Sequence, residues 1–600
     1  MNEYPSAGHM DFGVIGNCRI AALIDGVGDY QWLCLPRLDG EPVFNGLLGG
    51  GGRFTVRLSG CERVEQSYVR NTAVLRTVLH DGSGGAVEIT DFAPRFESRG
   101  RMFRPAQIIR RVRPLSGLPQ IAVCLEPSSG FSNTPKPASR GVTHISYGEG
   151  EGGLRVTTNA PIDHIQCGQP FVIDGELVFV LGPDETIPED PVHLCADWEQ
   201  QTVDHWQTWV SRLSTPPDWQ AAVIRAAITL QLCVYEETGG IVAALTTSIP
   251  EHDKSIRNWD YRYCWIRDSY FTVNALNRCA SMSALEHYLR FLRSVVAMTA
   301  RDGNASGHVQ PLFGIGLETV ITEHLEEALP GFLDNPPVRR GNQAFEHIQH
   351  DVYGQIILAA TPAFFDQRLR AAYGEAEFRA LEPVGERAFD VYDTSDAGIW
   401  EFREIEHIHT SSAIMCWAAC DRLSRIAGHL GLPERETYWR DKAAIIHATV
   451  CERGFDPRQN AFTMAFGVAD LDASVLLMCE IGFLPADDPR FIGTVEAVDR
   501  DLREGNNVFR YKAKDDFGRP ETAFTVCTFW HLDALWRIGR RDEARAMFES
   551  VLAHANPLGL LSEDLHPETG QLWGNFPQTY SMAGIINSAH LMSRDWPEVV

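Results

Sequence analysis

The sequence predicts an N-terminal all-β sandwich followed by an all-α (α/α)6 barrel. From about residue 10 to 200, short apolar or alternating segments end at turn formers, whereas after about residue 218 the apolar period becomes helical. A chain of 600 residues is also longer than one ordinary hydrophobic core requires. We therefore expect two domains joined by a linker.

The N-terminal region contains seven segments with the composition of β-strands. Each is short, apolar or alternating, and bounded by turn-forming residues. Their regular spacing predicts an antiparallel sandwich. The segments are GRFTVRLSG (52–60), NTAVLRTVLHD (71–81), GAVEITDFAP (85–94), QIIRRVRPL (107–115), QIAVCLEP (120–127), GLRVTTNA (153–160) and ELVFVLG (176–182).

The C-terminal region contains twelve segments with helical periodicity, and twelve helices in consecutive pairs would close an (α/α)6 barrel. An amphipathic segment over about 190 to 215 precedes them and is the expected linker. We assign residues 1–200 to the sandwich, 201–217 to a linker helix and 218–600 to the barrel. The helices are expected to begin near Asp218, Trp265, Met282, Asn342, Glu375, Thr410, Pro433, Ala469, Pro489, Thr522, Arg541 and Pro577.

The charge of the chain excludes two classes of partner. A formal net charge of -26 and a pI near 5.2 argue against binding to nucleic acid or to an anionic membrane, because the protein's own field repels a polyanion. The N-terminus has no basic segment followed by an apolar one, and no apolar run is long enough to span a bilayer. We therefore expect a cytoplasmic protein.

The cysteine pattern predicts neither disulfides nor a metal site. Fourteen Cys are scattered without a CxxC pair or metal-ligand spacing, and most lie among apolar residues. We expect reduced, buried thiols, with no metal and no cofactor.

One segment, RNWDYRYCWIRDS (257–269), stands out by its composition. It holds two Trp, two Tyr and three Arg, which is too polar for a core and too aromatic for an ordinary loop. Aromatic faces match the C–H face of a pyranose, while Arg267 and Asp268 offer donors and acceptors for its hydroxyls. The segment therefore predicts a sugar site. The alternative is an ion pair that stabilises a helix start among buried aromatic residues.

Two long loops of the barrel each carry a carboxylate in a suggestive setting. Glu401 follows Trp400, and Glu563 precedes Asp564 after an apolar run. Two carboxylates on opposite sides of a sugar-sized pocket are the minimum for glycoside hydrolysis, although a glutamate taken alone is more often a surface charge. For an inverting enzyme, we expect their nearest oxygens to lie about 6.5 to 9.5 Å apart.

Several motifs in a fixed order resemble bacterial members of family 15 of the glycoside hydrolases, the glucoamylase and trehalase family. The resemblance covers almost the whole length of the chain. It begins with an opening similar to the family's β-sandwich domain. The motifs are IGNCRIAALIDGVGDYQWLCLPRLDGEPVFNGLLGG, RNWDYRYCWIRDS, HVQPLFGI, NPPVRRGNQA, QHDVYG, GIWEFRE, MCWAACDR, ETAFTVCTFW and GNFPQTYS.

The resemblance implies a role for individual residues. Glu401 is implied to be the general acid and Glu563 the general base. The residues implied to bind the substrate are Tyr261, Trp265, Arg267, Asp268, Gln349, Asp351, Trp400, Arg510 and Glu521. For Gln349, Asp351, Arg510 and Glu521, barrel packing and helix capping are equally good explanations.

The chain departs from the family pattern in two ways. Phe402 stands where some fungal glucoamylases have a second acid that helps to bind the next sugar. No separate starch-binding domain follows the barrel in this sequence. Both departures favour a short oligosaccharide or a disaccharide over raw starch.

The predicted function is an inverting, exo-acting α-glucoside hydrolase that releases glucose from the non-reducing end of a short substrate, as glucoamylase does. An α,α-trehalase is the alternative. A disaccharide phosphorylase and a non-catalytic carbohydrate-binding protein are more remote, because acids stand where phosphate would need positive charge and both glutamates are present. The sequence leaves open the choice among α-1,4, α-1,6 and α,α-1,1 linkages, and whether the chain forms a homo-oligomer.

Overall fold

The computed structural model describes residues 4–148, 150, 152–301 and 307–599. The N-terminal region is built from antiparallel strands, as predicted. The strands are β1 Phe12–Gly16, β2 Ala21–Asp25, β3 Tyr30–Leu35, β4 Glu41–Phe44, β5 Arg53–Leu58, β6 Cys61–Tyr68, β7 Leu75–Asp81, β8 Ala86–Phe92, β9 Phe96–Ser98, β10 Arg101–Phe103, β11 Ile108–Ser116, β12 Gln120–Glu126, β13 Ala138–Arg140, β14 His144–Tyr147, β15 Leu154–Thr158, β16 Phe171–Val172 and β17 Leu177–Pro183.

Sheets packed face to face form the sandwich. The largest has eight strands in the order β13-β14-β15-β17-β11-β8-β7-β6, and smaller sheets are formed by β16-β12-β5 and by β1 to β4. Alternate residues of β5 and β12 point inward, and together with β1 to β4 and the large sheet they enclose one apolar core. This alternation is the pattern that predicted the strands.

The rest of the described chain is mostly helical. The helices are α1 Ile162–Cys167, α2 Pro191–Ser211, α3 Gln220–Leu232, α4 Ile266–Arg278, α5 Met282–Arg301, α6 Asp351–Ala360, α7 Pro362–Phe365, α8 Glu375–Val391, α9 Thr410–His429, α10 Pro433–Arg453, α11 Leu477–Glu480, α12 Pro489–Asp501, α13 Thr525–Arg537, α14 Arg541–Ala553, α15 Thr579–Met592 and α16 Trp596–Val599. Most predicted starts lie within three residues of these. Near 342 and 469 the chain instead forms short 3-10 turns, at Gln343–Glu346 and Ala473–Leu476, ahead of α6 and α11.

Two concentric rings of helices form the barrel. In the inner ring, α4, α6, α9, α11 with its 3-10 turn, α13 and α15 each pack on the next, and α15 closes the ring on α4. The outer ring consists of α3, α5, α8, α10, α12 and α14. The inner helix α6, DVYGQIILAA, is buried at every position, whereas the outer α12 alternates apolar and charged faces. An inner helix is surrounded by other helices and is therefore buried on every face. An outer helix packs on one side only and keeps charged residues toward solvent.

Helix α2 connects the two regions. It begins after Asp190, whose carboxylate caps the helix by accepting hydrogen bonds from the N–H groups of Val192 and His193. It buries Cys195 and Trp206 and packs on β9 and β17. The helix therefore starts earlier than the predicted linker helix 201–217. The domain limits 1–200 and 218–600 remain our proposal.

The sandwich directly contacts residues 257–269, which we call the sugar-site segment. Arg262 is fully buried, donates to the Gly40 carbonyl at 2.8 Å and binds Asp260 through two nitrogens. Its guanidinium lies over the rings of Trp32 and Phe131. Because side chains alternate along an extended chain, this contact directs the neighbouring Tyr261 to the other side.

Two further predictions concern cysteines and membranes. Thirteen of the cysteines are free thiols in the described structure, and ten of these are buried, in agreement with the prediction. No helix within the described ranges is long and apolar enough to cross a membrane.

Candidate active site

A cavity lined by aromatic and charged side chains lies where the loops at one end of the inner ring meet. Such a mixture of aromatic and polar groups is typical of small-molecule sites. The loops that precede α4, α9, α13 and α15 all contribute to its wall. Of the predicted site residues, those that line it are Tyr261, Trp265, Arg267, Asp268, Trp400, Glu401 and Arg510.

The sugar-site segment, residues 257–269, contributes several side chains to the wall of the cavity. Trp265 ends a short strand, and α4 begins at the next residue, which places Arg267 and Asp268 in its first turn. Asp268 Oδ2 is buried and has no hydrogen-bond partner among the described residues. Burial raises the pKa of Asp268 to about 7, against the effect of Arg267. A buried acceptor that lines a cavity is suited to a sugar hydroxyl.

Arg267 is held in a fixed orientation by several partners. It donates to the Tyr580 hydroxyl at 2.8 Å, to Gln349 Oε1 at 2.8 Å and to Glu401 Oε1 at 3.0 Å, and Asp351 Oδ2 lies 3.5 Å away. Gln349 and Asp351 do not line the cavity, contrary to the sequence prediction. Asp351 is the first residue of α6, and Gln349 lies two residues before it. Both contact Arg267 because α6 packs against α4, the helix that carries Arg267.

We expect Arg267→Lys to lower kcat/KM about 10- to 100-fold while the fold is kept. A lysine retains the charge, but its ammonium cannot reach three partners spread in one plane, and each hydrogen bond to a charged group is worth about 1.5 to 3 kcal/mol. Steady-state kinetics and a thermal melt measure the two quantities. Full activity, or loss of the fold, would favour a purely structural role for the segment.

Glu401 occupies a constrained position in its loop. Its φ of 62° lies in the left-handed region, where a non-glycine residue costs about 1 to 3 kcal/mol. Trp265 Nε1 and Arg267 both donate to Glu401 Oε1, the first at 2.6 Å. Among the described residues Oε2 accepts no hydrogen bond, so Oε2 is the carboxylate oxygen without a protein partner.

Side chains that the sequence analysis did not predict hold the loop around Glu401 in place. Trp400 Nε1 donates to Asp472 Oδ2 at 2.8 Å, and Phe402 stacks on His409. His409 Nδ1 lies 2.8 Å from the buried Asp396, which also accepts from Ser412. These contacts offset the backbone strain at Glu401 by holding the residues on either side of it.

In the described structure Glu563 does not line the cavity, contrary to the expectation of two carboxylates in its wall. It is only 2% exposed, but it contacts Tyr261, which does line the cavity. Its carboxylate accepts hydrogen bonds from the Tyr261 hydroxyl at 2.5 Å and from the Asn575 N–H at 3.3 Å. Gly574 has a φ of 75°, and a Cβ there would lie 2.6 Å from Glu563 Cβ, so only glycine leaves room for the carboxylate. Burial, followed by the charge of Glu251, raises the pKa of Glu563 to about 8.

A second group of polar side chains lines the cavity. Arg510 lies there as predicted and donates to both oxygens of Glu251 at 2.7 Å. Glu251 lines the cavity and was not predicted. Glu521 does not line it, contrary to the prediction, because it lies on an exposed loop with only a distant contact to His252, at 3.8 Å.

Family models match both regions of the chain. Residues 218–590 match the glycosyl hydrolases of family 15, and residues 9–176 match the trehalase-like N-terminal domain. A helical barrel that matches this family model, preceded by the matching N-terminal domain, defines the protein as a glycoside hydrolase. The chain belongs to family 15 of the glycosyl hydrolases, which confirms the predicted resemblance.

Curated relatives match over nearly the whole chain. The trehalases of Mycolicibacterium smegmatis, Mycobacterium tuberculosis and Thermoplasma volcanium are 32%, 31% and 30% identical, over 96% of this chain and 90%, 88% and 92% of their own. A bacterial glucoamylase solved with acarbose superposes with a TM-score of 0.68 at 14% identity, over 99% of this chain and 96% of that one. This neighbour confirms the predicted fold class.

Proposed function

We propose that the enzyme is an α,α-trehalase, the alternative that the sequence analysis placed second. The observation that carries the proposal is that six curated relatives, 26 to 32% identical over 94 to 96% of the chain, are all named trehalase. The solved glucoamylase is similar in fold but only 14% identical.

One loop at the cavity supports a substrate of two sugar rings. It is formed by residues 511–519, the closing loop, which lies between α12 and α13 and contributes Asp515 and Phe517 to the cavity wall. In this loop Asp515 binds Arg257, and Phe517 packs edge-on against Trp259 with ring centroids 5.6 Å apart. We propose that these contacts hold the loop in place and that the loop limits the length of the substrate, which favours a disaccharide over a long glucan chain. Phe402, in place of a second acid, agrees with the same conclusion.

The proposed mechanism is a single displacement. One glucose of trehalose would lie between Trp265 and the pair Arg267 and Asp268, with the second glucose toward Arg510. Glu401 Oε2 would protonate the departing oxygen, while Glu563 takes a proton from the attacking water on the opposite face. The predicted spacing of about 6.5 to 9.5 Å leaves room for that water. One glucose then leaves as the β-anomer and the other as the α-anomer.

A substrate panel tests the proposal. Trehalose, maltose, isomaltose and malto-oligosaccharides would each be scored for glucose release, with and without phosphate. We expect kcat/KM for trehalose to exceed that for the others by more than about 100-fold, because a site built for the hydroxyls of one disaccharide leaves polar groups unpaired with another. A preference for maltose would favour a glucoamylase, and glucose 1-phosphate formed in phosphate would favour a phosphorylase.

A further inference from the structure

Glu251 is a buried acid at the cavity for which the proposed mechanism has no role. It is 1% exposed, and both its oxygens accept from a single nitrogen of Arg510. Arg257 lies 3.9 Å from it and pairs mainly with Asp515. The charge of Arg510 is therefore directed at Glu251, although other acids lie close by.

Glu251 and Glu563 are neighbours across a short stretch of backbone. The N–H of Gly574 donates to the Pro250 carbonyl at 2.8 Å, and the next N–H, of Asn575, donates to Glu563. Four charged or titratable groups face Glu563: Tyr261, Glu251, Arg510 and Asp564. Glu401 faces Tyr261 from the other side, and Arg257 with Asp515 lies behind Glu251.

A base that removes a proton from water must not be neutralised by a strong ion pair. An arginine next to a carboxylate lowers its pKa by about 1 to 3 units and so weakens it as a base. The charge of Arg510 reaches Glu563 and lowers its pKa, although burial and Glu251 outweigh this effect, and the terminal nitrogen of Arg510 is bound to Glu251. The hydrogen bonds that Glu563 accepts in the described structure come instead from Tyr261 and Asn575.

We propose that Glu251 is a positioning residue that keeps Arg510 away from Glu563 and so preserves Glu563 as a strong base. The proposal rests on the assignment of Glu563 as the general base. Glu251 acts through Arg510 and not by contact with the reacting atoms. It must therefore influence the reaction whatever group leaves the glucose.

The test is the pH dependence of kcat/KM, measured with trehalose and with α-glucosyl fluoride. The acidic limb of this profile gives the pKa of the general base in the free enzyme. We expect this limb near pH 8 in the unaltered protein. Glu251→Gln removes a negative charge and frees Arg510, so the limb should move to lower pH by about 1 unit or more. The rate above the limb should fall several-fold, equally for both substrates. Glu251→Asp, which keeps the charge, should leave the limb in place.

A double variant distinguishes two effects of Glu251→Gln, the release of Arg510 and the loss of the negative charge of Glu251 itself. In Glu251→Gln with Arg510→Gln both charges are gone, so the limb should return toward that of the unaltered protein. Glu568→Gln, which removes one exposed acid a few residues from Glu563, is the matched control and should change nothing. Thermal melts of all variants confirm folding.

Three results would overturn the proposal. The double variant could keep the shifted limb of Glu251→Gln, which would mean that Arg510 is not involved. Glu251→Gln could raise KM for trehalose alone and spare the fluoride, which would make Glu251 a sugar contact. The acidic limb of the pH profile could persist in Glu563→Gln, which would mean that the limb is the titration of another group. If the unaltered protein does not cleave trehalose, the proposed function fails, but the fluoride profiles still test Glu251.

Discussion

Glu401→Gln should lower kcat for trehalose about 10²- to 10⁴-fold, the usual contribution of a general acid. The glutamine keeps the hydrogen bonds that Trp265 and Arg267 make to one side-chain oxygen, but it cannot deliver a proton to the leaving sugar. α-Glucosyl fluoride needs little protonation to depart, so its hydrolysis should fall far less. Steady-state rates on both substrates measure the difference.

The control for this variant is Glu406→Gln, which neutralises a more exposed acid a few residues further along the same loop. It should retain the activity of the unaltered enzyme on both substrates. If Glu401→Gln impairs the fluoride as strongly as trehalose, Glu401 is not the acid.

Glu563→Gln should lower the rate on trehalose and on the fluoride alike, again about 10²- to 10⁴-fold, because water must be activated whichever group leaves. In Glu563→Ala the space next to Tyr261 is vacated, and azide could attack from that face to give a product of inverted configuration. Rates with and without azide, and NMR of the product, measure both effects.

The two roles would be exchanged if the fluoride were spared only when Glu563 is lost. Rescue that gave an α-glucosyl azide would also contradict the assignment, because attack would then have come from the face of the leaving group.

The sequence predicted the parts of the fold that have a clear period. The inward alternation of β5 and the amphipathic period of α5, which begins at Met282 as predicted, could be recognised directly. Strand β1, FGVIG, is buried at every position, and β6, CERVEQSY, is mostly polar, so neither has the alternation that distinguishes a half-buried strand.

The site could be predicted where one motif supplies both position and chemistry. Trp265, Arg267 and Asp268 lie within four residues, and all three line the cavity. Glu251 was missed because its partner Arg510 is 259 positions away, and nothing in the local sequence IPEHDKS indicates that contact.

Three other predicted residues lie outside the cavity wall, and the reason is again packing between distant parts of the chain. Gln349 and Asp351 lie in a recognised motif, but the packing of α6 on α4 turns them toward Arg267 and not toward the cavity. Glu521 is next to the buried strand 523–524, yet its own side chain faces solvent. Which way a side chain points at the end of a helix or strand depends on neighbours distant in sequence.

Proton NMR of the first turnovers of trehalose tests the central claim most directly. An α,α-trehalase that uses Glu401 and Glu563 in a single displacement should release equal amounts of α- and β-glucose before the anomers equilibrate, because only one of the two anomeric centres inverts. Release of α-glucose alone would require a covalent intermediate, and the absence of any glucose would exclude a trehalase.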